Sequence, residues 1–517
     1  MNSVGGRVAD GPKGCNEAVR NLLLSSKVIS LLLMGLAGTQ ACMAKVVLPS
    51  LWSDHVVVQR GMPVRVWGSA SAGEKVAVRF RNAEATGTAD RLGHWEVDLP
   101  PGEAGGPFTM EIEGENKLSL SDVLVGDVWL ASGQSNMEFR LSGAINAEQE
   151  LKDADQPEIR LFHVDRRSSD FPQDDVLTKS WMRCTPKSAA DFSAVAYFFA
   201  RNIQADQHVP IGLIEADWGG TPGEAWTSQK ALSQDASLMP AWETWADLSN
   251  KEPTALLERA SEDKARQEAI DAGKPVPTFP WRPELRSWLP GGAFNGMIAP
   301  LVKFRIRGFL WYQGESNASI ERSFYYDRLM AAMIRDWRKR WQEGDIPFLL
   351  VQLANFTSAP DSKWPELREA QRRTLSVNET GMAVAIDIGD PDNIHPKNKQ
   401  EVGRRLALAA LALAYHESLE YSGPLYRTYM REGSSMRILF DHAQNGLVSK
   451  GGSLNAFEIA GSDGKFVPAR AEIDGTTVVV SSPQVETPAA VRYGWAGNPN
   501  CNLYNQDNLP ASPFSTQ

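Results

Sequence analysis

From about residue 123 to 415 the chain alternates short apolar runs with longer stretches whose apolar positions recur at helical spacing. The runs at 123–130, 211–216, 309–312, 348–353 and 383–388 are apolar throughout much of their length, as strands covered on both faces are. Between them, 192–203, 324–341 and 401–415 carry the helical period. Strand and helix in alternation predict an α/β fold, a parallel sheet flanked by helices, with a ligand at the carboxyl ends of the strands.

The flanks follow a different rhythm. Residues 45–120 alternate apolar and polar positions at 64–67, 76–80 and 108–112, with turn residues between, which predicts an antiparallel, sandwich-like β segment. Short alternating strands return at 436–440, 457–459, 466–470 and 477–480. The expected organisation is therefore a β segment at 45–120, an α/β domain at 121–425 and a second β segment with the C-terminal tail at 426–517. Whether the two β segments join is open at this level. An insertion at 227–292, rich in charge and proline, holds Trp242, Trp245, Trp281 and Trp288, and its stretch 254–272 reads as an exposed helix. Tryptophans here either cover the core or offer a face to a sugar ring.

Composition narrows the function classes. The 517 residues carry a formal charge of -10 that is spread along the chain, so no basic footprint for nucleic acid exists. The seven histidines include no His-x-x-x-His pair, and no Cys-x-x-Cys occurs, so neither a metal site nor a cofactor is expected. Arg7, Lys13, Arg20 and Lys27 precede an apolar core at 28–38 and a small-residue stretch ending at Ala44. That core is too short to span a bilayer, which predicts a signal peptide at 1–44 and an exported, periplasmic or extracellular protein without stable membrane insertion. After cleavage Cys184 and Cys501 remain, as one disulfide or two thiols. Oligomeric state is not set by any of these features.

Chemistry concentrates where the apolar runs end. After the first run, Gly133-Gln-Ser-Asn-Met137 places Ser135 where a helix can begin, close to backbone N–H groups that stabilise an oxyanion. A lone serine there would be read as a helix cap. Downstream, Asp392 and His395 stand three apart in the loop 387–396, a spacing at which a carboxylate can orient an imidazole toward a serine. Asp390 and Asp387 compete with Asp392 for that role. The loop at 215–226, with Gly219 and Gly220, can present a glycine N–H to a tetrahedral oxyanion.

Four ordered blocks, Gly133-Gln-Ser-Asn-Met137, Trp218-Gly-Gly-Thr221, Trp311-Tyr-Gln-Gly-Glu-Ser-Asn317 and Ile394-His-Pro396, resemble the sialate O-acetylesterase family of SGNH hydrolases. Asn502-Leu-Tyr-Asn505 and the stretch 509–514 resemble that family's C-terminus. The resemblance implies Ser135 as nucleophile, His395 as general base and acid, and a preceding acid, Asp392 first, as orienter. It implies oxyanion donors at the Ser135 N–H, the Gly220 N–H and the Gln313 side chain, where many SGNH enzymes have asparagine; Asn317 is the second candidate. Arg140, Trp218, Trp226, Glu315 and Asn317 complete the candidate substrate contacts. The implied partner is an acetylated carbohydrate, first an O-acetylated sialic acid and otherwise acetylated xylan or xyloglucan. A glycan-binding relative without chemistry is the non-enzyme alternative. A true α/β-hydrolase elbow is excluded, because Ser135-Asn-Met137 lacks the second glycine.

Overall fold

The computed structural model describes residues 45–517 apart from Lys179. The expected signal peptide lies outside the described residues. A strand of 17 residues, Lys117–Gly133, runs through the centre of the molecule. Its second half is fully buried, since it pairs in parallel with Ile211–Asp217 on one side and Gly308–Tyr312 on the other. Beyond Ile211–Asp217 lie Gln156–His163 and the antiparallel edge strand Met182–Cys184; beyond Gly308–Tyr312 lie Phe348–Val351 and Thr380–Ala383. The strand that comes first in the chain thus sits between later strands that depart in opposite directions. That is a topological switch point, and its carboxyl end opens a crevice between the loops after Asp217 and Tyr312.

The first half of the same strand belongs to the N-terminal β segment. Gly105–Glu113 pairs with it antiparallel, and Val57–Gln59 pairs with it in parallel. Val64–Ser69 and His94–Leu99 form a separate two-stranded layer whose alternate residues are buried. One continuous hydrophobic core runs from Val46 to Ala414, so the boundary expected at 120/121 falls inside a strand and inside a shared core. The second β segment differs. Its two four-stranded antiparallel sheets enclose their own core, from Met436 to Phe514, and among the described residues pair with no N-terminal strand.

Helices Ala194–Gln207 and Lys399–Leu413 pack together, and the contact is close because Gly403 has no side chain: a Cβ there would stand 2.6 Å from Phe198 Cβ. In the insertion, a 32-residue helix, Pro240–Asp271, runs through Pro253, after which the sequence reading had it begin at 254. Cys184 and Cys501 are both free thiols, and burial pushes each up to about 12. No described helix is long and apolar enough to cross a membrane.

Candidate active site

Ser135 begins a one-turn helix, Ser135–Glu138, directly after the central strand. The turn into it requires glycine: Gly133 has φ +143°, and a Cβ there would lie 2.2 Å from the Tyr312 carbonyl oxygen. As the first helical residue, Ser135 has a backbone N–H without an intrahelical acceptor. Its hydroxyl is 2.8 Å from Nε2 of His395. The histidine comes from the loop after Thr380–Ala383, where Asn393 Oδ1 accepts from the His395 N–H at 2.9 Å.

Asn136, next to the serine, ties that loop in place. Its Nδ2 donates to the Ile394 carbonyl at 2.9 Å and to Glu315, and its Oδ1 accepts from Lys399. Lys399 is fully buried, with its ammonium 4.8 Å from the Phe139 ring centroid, and burial pulls it down to about 7. His395 is lowered from its ordinary value, chiefly by burial and then by the Lys399 charge, against an opposing pull from Glu138. A neutral imidazole, able to accept a proton, is the form this environment favours.

The expected orienting acid is corrected by the geometry. Among the described residues no carboxylate oxygen lies within 4.0 Å of either ring nitrogen of His395, and Nδ1 has no acceptor. Asp392 is exposed, and its backbone N–H donates to Asp390 Oδ1 at 3.0 Å. Asp387 is bound to Arg405 at 2.6 and 2.9 Å. Three residues of spacing brought Asp392 near in sequence, but its side chain is exposed to solvent.

The glycine loop lies against the serine. A Cβ on Gly219 would stand 3.3 Å from Ser135 Cβ, and the Gly219 N–H donates to Glu138 Oε2 at 2.7 Å. Gly220, at φ +78°, has its carbonyl held by Trp288 Nε1 at 2.9 Å and Ser316 Oγ at 3.0 Å. The Gly220 N–H, which belongs to the preceding peptide unit, donates to no acceptor among the described residues.

Gln313 is a second correction. It is fully buried, and its amide nitrogen already faces Gln134 Oε1 (3.1 Å), the Thr221 carbonyl (3.2 Å) and Asn317 Oδ1 (2.8 Å). An amide with two hydrogens and three acceptors has nothing left for an oxyanion. Asn317 is committed likewise, to Gly223 N–H and Glu224. Both form the floor that holds the crevice loops together.

Among the expected substrate contacts, Trp226 is fully buried against Trp311, with its indole N–H on Thr221 Oγ1. Glu315 turns its carboxylate inward to Asn136, and its Oε2 is enclosed although the residue as a whole is half-exposed. Arg140 donates through one guanidinium nitrogen to Glu215, 3.2 Å away, and to the Asp191 carbonyl, which ties it to the wall. Trp218 keeps a half-exposed position beside the glycine loop. Sequence reading passed over Gln134, Asn136, Glu138 and Lys399. The first two stood inside a quoted block, but their role as clamps depends on which way buried amides point.

Comparison with known proteins agrees in kind. A family model described as carbohydrate esterase, sialic acid-specific acetylesterase, matches residues 284–412. The chain is 30% identical to the sialate O-acetylesterase of Mus musculus over 87% of its own length and 90% of the relative's. It is also 30% identical to that of Homo sapiens, over 89% and 90%. Its structure resembles a solved carbohydrate acetylesterase from Xanthomonas citri with a TM-score of 0.80 and 40% identity, covering 91% of this chain and 99% of that one.

Proposed function

Because this chain belongs to the sialate O-acetylesterase family, we propose that it is an exported esterase that removes acetyl groups from sugar hydroxyls by an acyl-enzyme route. The observation that carries the reading is the 2.8 Å contact between Ser135 Oγ and His395 Nε2, set beside two unused N–H groups at the carboxyl edge of the sheet. Ser135 Oγ attacks the acetyl carbonyl carbon while its proton passes to His395. The Ser135 and Gly220 N–H groups receive the developing oxyanion. Collapse breaks the bond to the sugar oxygen, which takes the proton back from His395. Water then gives a proton to His395, attacks the acetyl-serine and releases acetate, and the serine recovers its proton.

No carboxylate fixes the histidine in this scheme. The ring is held instead by its loop, which Asn136 staples to the nucleophile helix, and the nearby Glu138 charge favours the transient imidazolium. The route uses no cofactor and no metal.

Sialic acid O-acetyl esters are the substrates that the family's name favours. A relative of higher identity is described only as a carbohydrate acetylesterase, which does not restrict the sugar to sialic acid, and acetylated xylan or xyloglucan is the second reading. Acetate release from O-acetylated sialic acid, acetylated xylan and acetylated xyloglucan, measured side by side, separates the two. Ser135→Ala should abolish release from all three while leaving the melting temperature within a degree or two, since it removes one oxygen and no core packing. Release by the variant near the wild-type rate would end the mechanism. A protein that binds these glycans and releases nothing would be the binding relative instead.

A further inference from the structure

The insertion ends in a strap that returns to the catalytic loop, and that strap carries Trp281. This tryptophan is 65% exposed, yet it is not adrift. Its indole edge leans on Gly220: a Cβ on that glycine would lie 2.7 Å from Trp281 Cζ2. Behind it stands Trp288, with ring centroids 6.3 Å apart, whose own N–H holds the Gly220 carbonyl and whose ring has the Arg322 guanidinium 4.7 Å from its centroid. The strap is pinned from the other side by the long insertion helix. Arg282, next to Trp281, pairs with Glu262 and with Glu258 at 3.4 Å, and Arg259 donates to the Pro283 carbonyl at 2.7 Å. Pro280 and Pro283 bracket the segment and cut its freedom further.

An exposed indole costs free energy in water, and holding it still costs more. Here both are met within one residue of the N–H expected to receive the oxyanion. From this placement we infer that Trp281 is the platform on which the pyranose ring bearing the acetyl group stacks, so that the insertion sets the enzyme's preference for sugar esters over other acetates. The inference rests on the carbohydrate esterase reading above. A pyranose presents a face of C–H bonds that packs flat against an aromatic ring, while its hydroxyls stay at the rim in water. The acetyl group on such a ring would reach past Gly220 toward Ser135. Trp242 and Trp245, half-buried at the start of the long helix, and Trp288, buried, offer no comparable open face.

The test compares a sugar ester with triacetin, which has no ring to stack, in the full-length mature enzyme. On whichever of O-acetylated sialic acid, acetylated xylan or acetylated xyloglucan the wild type turns over fastest, Trp281→Ala should lower the ratio of sugar-ester to triacetin kcat/KM roughly tenfold, mainly through KM. Trp281→Phe should restore most of that ratio, because it keeps an aromatic face. An unchanged ratio would overturn the inference. So would an equal loss on both substrates, or a loss confined to kcat, since either would mean that Trp281 only supports the Gly220 loop. A wild type that hydrolyses triacetin but none of the sugar esters would instead remove the carbohydrate reading itself, and the platform with it.

Discussion

Asp392→Asn separates the structure from the family expectation more cleanly than any other substitution. If Asp392 oriented His395 as in a serine-protease triad, its amide would hold the wrong tautomer, and kcat would fall by roughly 10⁴. The geometry says otherwise. The carboxylate is exposed and further than 4.0 Å from both ring nitrogens, so only a water-screened charge interaction connects them. At 4 Å in water that interaction is worth about 1 kcal/mol, and it is less at longer range, which bounds the loss at roughly fivefold. Asp387→Asn in the same loop has a different cost. It removes one of the two carboxylates paired with buried Arg405 and leaves Glu401 at 2.8 Å, so the cost stays below the about 3–5 kcal/mol of stranding a buried charge. The assay is kcat/KM on p-nitrophenyl acetate at pH 8, with thermal melts of each variant. Expected are a near wild-type rate and melting temperature for Asp392→Asn and a clear drop in melting temperature for Asp387→Asn. A loss of 10³ or more for Asp392→Asn, in a protein that melts normally, would show that the ring and Asp392 meet during turnover and would refute the account of an unpaired histidine.

Two further outcomes follow from the same network. The base must be neutral in the free enzyme, and His395 is lowered by burial and by Lys399, so kcat/KM should rise along an acid limb centred below the ordinary histidine value of ~6.5 and be level by neutral pH. Lys399→Met removes the positive charge and should move that limb toward higher pH; a limb that starts at or above ~6.5, or that stays put in a folded Lys399→Met protein, contradicts the assignment. Gln313→Ala should act on stability first, by about 2–4 kcal/mol, because it empties a buried site, takes a donor from the Thr221 carbonyl and leaves Tyr326 Oη and Asn317 Oδ1 with one remaining partner each. Its kcat at a temperature well below the melt should change little, whereas a loss of ~10²–10³ in kcat without destabilisation would return Gln313 to the oxyanion hole.

What the sequence disclosed, and what it hid, follows from which physical signal each feature leaves. The parallel sheet was legible because its strands are buried on both faces: Ile211–Asp217 and Gly308–Tyr312 lie within a residue of the apolar runs that predicted them. Gln156–His163 went unread because half of it is polar, Gln-Pro-Glu at its start, and its outer neighbour is only the short strand Met182–Cys184. The apolar run at 383–388 misplaced a strand that is really Thr380–Ala383, because burial continues into the turn after the ladder has ended: the sole partner, Phe348–Val351, stops opposite Ala383. The site divides along the same line. Ser135, Gly220 and His395 are positioned by backbone, by a strand end, a left-handed turn and a proline-bounded loop, and backbone constraints are written in glycines and spacings. Gln313, Asp392, Glu315 and Arg140 matter through side-chain direction, which spacing does not fix. Each had a polar group of the right kind, and three of the four spend it on neighbours in the wall. On the proposed mechanism the catalytic apparatus is therefore smaller than the polar motifs suggest: a serine, a histidine and two backbone N–H groups would face the substrate, with the remaining polar residues holding those few atoms in place.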